Sequence, residues 1–411
     1  MMITDVTTIS LDVPTGRRPL VFAWGISSFY GWGVNGMNLV LSLDDEKVFL
    51  PYCAQPYYPA DIVLDPLRRE RITQVAVRSQ PLLDAISDNG NPLIHVDAPL
   101  LVAVGRDFEG LGSVLGRRLY GSPTIGVAFL EQVFLSDEAL SRARDLAHII
   151  AGSTWNEMLL RGAGIRSVTT VLQGVDTSLF HPGQQNNSTS ADRFIVFSGG
   201  KLEFRKGQDL VLAAFRAFHR RHPESLLLAA WHSPWSYLMH TAVGHAGIKA
   251  PFPSNDSTPD VVGWAVANGI PANAVISVGL TPNIAMPHVI READVALFPS
   301  RAEGGTNLVA MECIACGVPT ILSANTGHLD LLQLPDIAYP LTRQTAVRQR
   351  DGIDTTDWGE SDVDEAIELL EQVWCDRKAA KAKGLKASKT LSGMTWKIQT
   401  QKVLRAIDPF L

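Results

Sequence analysis

The feature that most constrains this chain is a repeated alternation of short apolar runs with helical patterns, on both sides of one polar stretch. That stretch, His181–Arg193, reads HPGQQNNSTSADR. It carries Pro and Gly and has no periodicity, the mark of a linker. Before it, Leu20–Gly25, Val48–Pro51, Leu93–Val96, Thr124–Phe129 and Ile149–Gly152 read as strands. Ser153–Thr154 then offers a cap for a helix over Trp155–Gly162. After it, Phe194–Ser198, Ser225–Trp231, Ala274–Val278, Val295–Phe298 and Thr320–Ser323 read as strands, with helices over Gln208–His222 and Leu308–Cys316. Gly317 and Pro319 close the second of these helices. Apolar strands separated by helices dictate parallel sheets covered on both faces, an α/β class. The expectation is two Rossmann-like domains facing each other across a cleft. Residues 1–183 form the first, 184–193 the linker and 194–392 the second. A C-terminal helix over 393–411, apolar at Trp396, Ile398, Val403, Leu404 and Ile407, could pack on either domain, including back on the first.

Composition narrows the function. Of 411 residues 46% are apolar and 19% charged, enough to bury two cores. A net charge of −6 argues against a nucleic-acid partner, which calls for a basic excess. Four cysteines do not make a disulfide framework. The start MMITDVTTISLDV has no basic-then-apolar pattern, and His95, Asp97 and Pro99 interrupt the longest apolar run, around Pro92–Gly105. A cytoplasmic protein is therefore expected. The small basic cluster Arg68, Arg69 and Arg71 leaves peripheral contact with the inner membrane face open, although an exposed helix face is the favoured account of it. The oligomeric state is not legible.

The segment Asp294–Leu332, DVALFPSRAEGGTNLVAMECIACGVPTILSANTGHLDLL, carries the most chemistry. A buried strand ends at Pro299, a turn holds Glu303, Gly304 and Gly305, and Thr306 or Asn307 can cap the next helix. Glycines let a ligand approach the backbone, and a helix start attracts phosphate. Glu312, within two turns of that start, can accept both hydrogens of a vicinal diol such as a ribose, and Glu303 can meet hydroxyls of a second ring. Two acceptors flanking a phosphate-binding helix start suit a nucleotide sugar.

A second segment, Phe194–Asp209, reads FIVFSGGKLEFRKGQD. Its strand runs into Gly199–Gly200, followed by Lys201, Arg205 and Lys206, three candidate diphosphate ligands outside any Walker A spacing. In the first half, Ser27–Leu39 places Gly31, Gly33 and Gly36 at dinucleotide-fingerprint spacing, but residues 49–58 lack the acidic partner a dinucleotide site needs. Cys313 and Cys316 lie inside the predicted helix with no second pair, and read as packing residues. Trp231, His232 and Trp235 line either a cleft or a core. Asp44-Asp45 is not an Asp-x-Asp motif, and no metal site is expected.

Together these segments resemble the retaining GT-B glycosyltransferases of the large group 1, family four. The match lies in Gly200-Lys201-Leu202 with Lys206-Gly207, Pro299-Ser300, Glu303-Gly304, Glu312, Ala315-Cys316-Gly317 and Pro319. Gln173-Gly174-Val175-Asp176 and Phe180-His181-Pro182 extend it upstream. It covers about Asp145–Leu332 well and is thin before residue 120.

The resemblance implies a metal-independent, retaining hexosyltransferase in glycan biosynthesis, with no cofactor. Its substrate is a UDP- or GDP-linked sugar and its acceptor a hydroxyl on a glycan, lipid-linked glycan, small molecule or protein. Lys201 and Lys206, beside Gly200, hold the diphosphate, and Glu312 holds the ribose. Glu303 and the backbone of Gly304, Gly305, Thr306, Asn307 and Leu308 hold the sugar and β-phosphate. The loop at Gly279 and Leu280 meets the base, and the glycine loop at Gly33 approaches donor or acceptor.

Three departures stand out. Lys201 replaces the usual Arg, losing its planar fork. Eight residues instead of seven separate Glu303 from Glu312, so Thr306 or Asn307 gains a new position. The family's N-terminal histidine has no clear match; Glu131 is the first substitute and His95 the second. An epimerase or phosphorylase of the same architecture, a non-catalytic nucleotide-sugar binder, and a dehydrogenase built on Gly31–Gly36 stay open at this stage.

Overall fold

Strands built almost wholly from Val, Leu, Ile, Phe and Ala can be covered on both faces, and that is how they are used here. The computed structural model describes residues 7–13, 16–55, 59–110, 117–185, 193–233, 239, 241–248, 259–350 and 352–411. The chain divides into two units. The first comprises Met1–Gly174, Pro282–Ile284 and Met394–Leu411, the second Val175–Thr281 and Ala285–Gly393. The boundary thus falls before residue 183: Val175–Gly183 belong to the second unit, where Arg291 donates to the carbonyls of Leu179 and His181. Most of the expected linker lies outside the described residues.

In the first unit the strands are β1 (Thr7–Ile9), β2 (Arg18–Phe22), β3 (Phe49–Cys53), β4 (Leu93–Val96), β5 (Leu100–Val104), β6 (Arg118–Gly121), β7 (Thr124–Ala128), β8 (His148–Ala151) and β9 (Val168–Thr170). Six of them form a parallel sheet in the order β3-β2-β5-β7-β8-β9. A small parallel sheet, β1-β4-β6, stands apart. Asp97 and Pro99 divide the apolar run of residues 92–105 into β4 and β5, which enter different sheets. His95 therefore sits in the small sheet, against Ser122 and the Tyr120 ring. The helix Trp396–Ile407 belongs to this unit, and Val403 and Ile407 share a core with Leu20, Phe22 and Val40. Gly174 permits the approach: a Cβ there would lie 2.6 Å from the Trp396 backbone.

The second unit carries β10 (Phe194–Gly200), β11 (Ser225–Trp231), β12 (Val275–Ser277), β13 (Val295–Phe298), β14 (Thr320–Ser323) and β15 (Tyr339–Leu341). They form one parallel sheet, β12-β11-β10-β13-β14-β15. Counted within the unit the order is 3-2-1-4-5-6, the doubly wound order whose direction reverses between β10 and β13. Trp231 is buried in this core against Trp264 and donates to Ser198; Trp235 lies outside the described residues. A short antiparallel pair, β16 (Gln344–Ala346) and β17 (Gly359–Ser361), follows.

Among the described residues no helix is long and apolar enough to cross a membrane. In the expected basic cluster, Arg71 pairs with Asp44 and Asp45 and Arg68 with Asp65, while Arg69 is exposed. Asp44 and Asp45 thus act as partners of arginines.

Behind the β10–β13 junction lies a buried ion network. Arg301 donates Nη1 and Nη2 to the two Asp209 oxygens, both at 2.9 Å. It also donates to Glu360 on β17 and, at 2.7 Å, to the Phe204 carbonyl. Its guanidinium lies 4.1 Å from the Phe204 ring, which Arg350 stacks at 4.2 Å. Asp209 further accepts from the backbone N–H of Gly244 and His245. These bonds fix the loop after β10 to the loop after β13. Removing one partner of a buried pair strands the other charge, so Arg301→Ala should cost about 3–5 kcal/mol. Chemical denaturation checks this, and a loss below about 1 kcal/mol would contradict the role of Arg301 as the clamp between the loops.

Candidate functional site

Ligands of doubly wound sheets sit outside the carboxyl ends of the strands where the order reverses. Here those ends belong to β10 and β13, and the two segments richest in chemistry follow them directly. After β10 come Lys201, Leu202 and Glu203, a 3-10 turn over Phe204–Lys206, and Gly207 at φ 68°. After β13 come Pro299–Asn307 and the helix Leu308–Ala315. The loops touch at Gly207, where a Cβ would stand 2.3 Å from the Pro299 carbonyl oxygen. The loop after β14 closes in as well: a Cβ on Gly327 would stand 2.0 Å from the Gly305 carbonyl oxygen.

The centre of the site is Glu303, only 3% exposed. Lys206 Nζ lies 2.8 Å from both its carboxylate oxygens. Arg205 Nη1 donates to Oε2 at 2.9 Å. Ser300 Oγ donates to Oε1 at 2.7 Å, and Asn307 Nδ2 does so at 3.0 Å. Its own N–H donates to Thr326 Oγ1 at 2.8 Å. A second carboxylate, Glu203, pairs with Arg205 and lies 3.9 Å from Lys201 Nζ. Three cations from one loop thus face two carboxylates beside a helix start.

Asn307 closes the turn. It takes φ 62°, and its Oδ1 caps the helix by accepting from Ala310 N–H. Its Nδ2 then faces Glu303 and, at 3.2 Å, His328 Nε2. His328 Nε2 is accordingly the bare nitrogen, and Nδ1–H donates toward Ser323 Oγ at 2.9 Å. Thr306 is buried and donates to Met311 sulfur. Gly304 and Gly305 are buried, and Leu308 is half-buried at the first helical position.

Glu312 is buried in the second turn, beside Cys316. Cys313 and Cys316 are buried free thiols; burial pushes Cys316 up to about 12 and Cys313 further in the same direction. Both fit packing and neither a thiolate. Gly279 (φ 61°) and Leu280 follow the edge strand β12, two strands from the junction, and Leu280 is exposed. Gly33 and Glu131 belong to the first unit. Gly33 lies in the helix Gly31–Asp44, where a Cβ would strike Ser27, so close packing accounts for the glycine. Glu131 is half-buried just after β7.

Asp209, Arg301, Glu203 and His328 were not singled out by sequence reasoning. The signal was available for His328: β14 neighbours β13, so the loop Ala324–Gly327 ends beside the Glu303 turn. No short motif announces an Arg–Asp pair 92 residues apart.

Burial raises the Glu303 carboxyl, but Lys206, Arg205 and His328 outweigh it and hold it at about 2. Burial likewise lowers His328, and despite Glu303 its ring is held at about 4. Both folded values lie below the ordinary 6.5 and 4.5, so the unfolded chain binds more protons and acid destabilises. For His328 the loss runs from about pH 6.5 to about 4; for Glu303 it continues below 4.5. Thermal melts across pH 7 to 4 should show a falling midpoint, flattened between 6.5 and 4 in His328→Gln. Identical slopes in the two proteins would contradict the neutral buried imidazole.

The comparisons with known proteins agree with this geometry. A family model described as a family 4 glycosyltransferase in conflict systems matches residues 283–403. A GDP-mannose-dependent alpha-(1-6)-phosphatidylinositol monomannoside mannosyltransferase of Mycolicibacterium smegmatis is 26% identical over 166 residues, 38% of this chain. The match spans 37% of that relative's length. Among solved structures, sucrose-phosphate synthase from Thermosynechococcus elongatus superposes with a TM-score of 0.62 at 15% identity, covering 96% of this chain and 99% of that one. Anabaena HepE in complex with UDP and glucose gives 0.61 at 13% identity, covering 95% and 100%. The sheet orders and the whole-length superpositions show the GT-B fold, and the motifs at the β10–β13 junction resemble those of the group 1, family four glycosyltransferases.

Proposed function

We propose that the protein transfers a hexosyl unit from a nucleotide diphosphate sugar to a hydroxyl acceptor, with retention of configuration and without a metal ion. The observation that carries this reading is the meeting of Lys206 with the start of the helix Leu308–Ala315, through Glu303 and Asn307, at the reversal point of the donor-type sheet. The UDP and glucose of HepE and the GDP-mannose of the mycobacterial relative support a UDP- or GDP-linked donor.

In this reading the diphosphate lies over the loop Lys201–Lys206 and the positive end of the helix. Cleavage of the bond between the anomeric carbon and the β-phosphate oxygen leaves its electron pair on that oxygen. Lys206, Lys201 and the helix start stabilise the developing charge, the role a divalent cation fills elsewhere. The acceptor hydroxyl attacks the same face of the sugar, and its proton passes to the departing phosphate. The new glycosidic bond keeps the original configuration. Glu312 takes the ribose hydroxyls, and Gly279 and Leu280 border the base.

The first measurement is a thermal-shift panel of UDP-, GDP-, ADP- and dTDP-sugars, since ligand binding raises the melting temperature. With the stabilising donor in hand, Lys206→Ala should cut turnover by about 10²–10³, comparable with losing one preorganised donor. Near-normal turnover in that variant would remove Lys206 from the mechanism. EDTA should leave activity intact, and NMR of the product should show the anomeric configuration of the donor; loss with EDTA, or an inverted product, would each refute the corresponding half of the reading.

A further inference from the structure

The carboxyl ends of β10 and β13 carry the candidate donor site. The amino ends of the same strands border a separate cavity of about 110 Å³. That is well beyond the roughly 10–15 Å³ that admits one water. It is lined by Phe194 at the start of β10, Asp294 just before β13 and Pro319 just before β14, and the helix Arg377–Leu391 closes one side. Every lining residue belongs to the second unit. The seven residues of β10 set this cavity apart from the loop Lys201–Lys206 by about 20 Å, at ~3.3 Å per residue.

Three cations line the cavity: Arg291, Arg377 and Lys381. The helix that supplies two of them, RKAAKAKGLKASKTL, holds six cations and no carboxylate, in a chain of net charge −6. Arg377 and Lys381 stand four residues apart and so share a helix face. Uncharged groups hold both arginines in place. Arg291 donates Nε to the His181 carbonyl at 3.0 Å and Nη2 to the Leu179 carbonyl at 2.7 Å, and it meets the Cys316 thiol. Gly183 gives it room, since a Cβ there would lie 2.9 Å from the arginine Cδ and Nε. The Arg377 guanidinium lies 4.0 Å from the Trp374 ring and 4.9 Å from the Phe194 ring. Among the described residues none of the three cations is in an ion pair.

The lining has one carboxylate, Asp294, whose Oδ2 accepts the Ile195 N–H at 2.8 Å. Three cations against one carboxylate leave a surplus of two positive charges. Cations fixed by carbonyls and rings instead of carboxylates keep that surplus for a ligand. Two negative charges with several acceptor oxygens match it, and guanidinium forks suit a phosphoryl group in particular. We infer that this cavity is a second phosphoryl site, which takes inorganic phosphate or a small phosphate monoester. Arg291 and Arg377 meet the phosphoryl oxygens, and Lys381 adds charge at the rim. The volume is below the roughly 300–1,000 Å³ of pockets for drug-sized ligands, which leaves out a whole nucleotide. The inference is independent of the transferase reading, because it uses no residue of the donor loops.

Calorimetric titration of the full chain with inorganic phosphate, methyl phosphate and succinate at pH 7.5 tests the site. Each titration is run on wild type and on Lys206→Ala, which sets phosphate at the donor loop apart from phosphate in the cavity. Saturable phosphate binding should persist in Lys206→Ala. Adding Arg377→Gln or Lys381→Gln should weaken it by about tenfold or more, as expected for loss of a charge-assisted hydrogen bond, and adding both should abolish it. Arg377→Lys, which keeps the charge and loses the fork, should lose a smaller part. Both side chains are exposed, so the variants are expected to fold, and circular dichroism checks this. Methyl phosphate that binds as inorganic phosphate does identifies a monoester as the ligand, and binding of inorganic phosphate alone identifies the free ion; both support the site. Three results overturn it: no saturable binding at millimolar phosphate, binding that survives the loss of Arg377 and Lys381, or binding lost only with Lys206→Ala. Succinate that binds more tightly than either phosphate overturns the phosphoryl assignment. Wild-type protein that binds no nucleotide sugar refutes the transferase reading and leaves this inference standing.

Discussion

The structure of the site depends on one buried carboxylate meeting two buried cations. A carboxylate excluded from water is tolerated only when it is paired and hydrogen-bonded. Glu303 satisfies that condition with groups from its own turn and from the loop after β10. Because Lys206 and Arg205 arrive from one strand and Ser300 and Asn307 from another, the carboxylate cannot be satisfied unless β10 and β13 are neighbours in register. The ion cluster and the strand order therefore require each other. The Arg301–Asp209 pair repeats the arrangement one layer deeper, and its bond to the Phe204 carbonyl holds the backbone on which Arg205 and Lys206 ride.

This interdependence explains what was legible in the sequence. Five strands of the second unit's large sheet were readable because each is a short, largely apolar run ended by glycine, proline or a polar turn; β15, with Pro340 at its centre, was missed. Leu100–Val104 was not, because Asp97 and Pro99 read as interruptions of one run when they mark the passage between two sheets. Lys206 and Glu303 lie 97 residues apart, but each carries recognisable spacing to its own neighbours, Gly200 and Glu312. Asp209 and Glu360 carry none, and their partner Arg301, 92 and 59 residues away, is chosen by the fold. His328 lies between these cases: its position after a strand adjacent to β13 follows from topology, but its neutrality follows only from burial against Glu303.

The glycines divide along the same line. Gly207 and Gly327 are fixed by backbone approaching backbone; the family spacing includes Gly207 and not Gly327. Gly33 has the spacing of a dinucleotide fingerprint, yet its helix packs against Ser27, and the fingerprint has no acidic partner. Glycine spacing alone does not distinguish a loop that admits a ligand from a helix that admits its own chain.

The turn between Glu303 and the helix Leu308–Ala315 shows how much of a site a single residue can shape. The helix start and the strand end are held by their own hydrogen bonds, so the turn must be closed between them. A left-handed conformation is cheapest at glycine or asparagine, and the chain has asparagine there. Unlike glycine, asparagine brings an amide that can cap the helix with one end and donate with the other. The donating end falls on Glu303 and His328, where it helps fill the carboxylate and fixes the imidazole tautomer. Asn307 thereby joins Ser300, Arg205 and Lys206 in satisfying both oxygens of the Glu303 carboxylate, with groups drawn from two loops that only the strand order brings together.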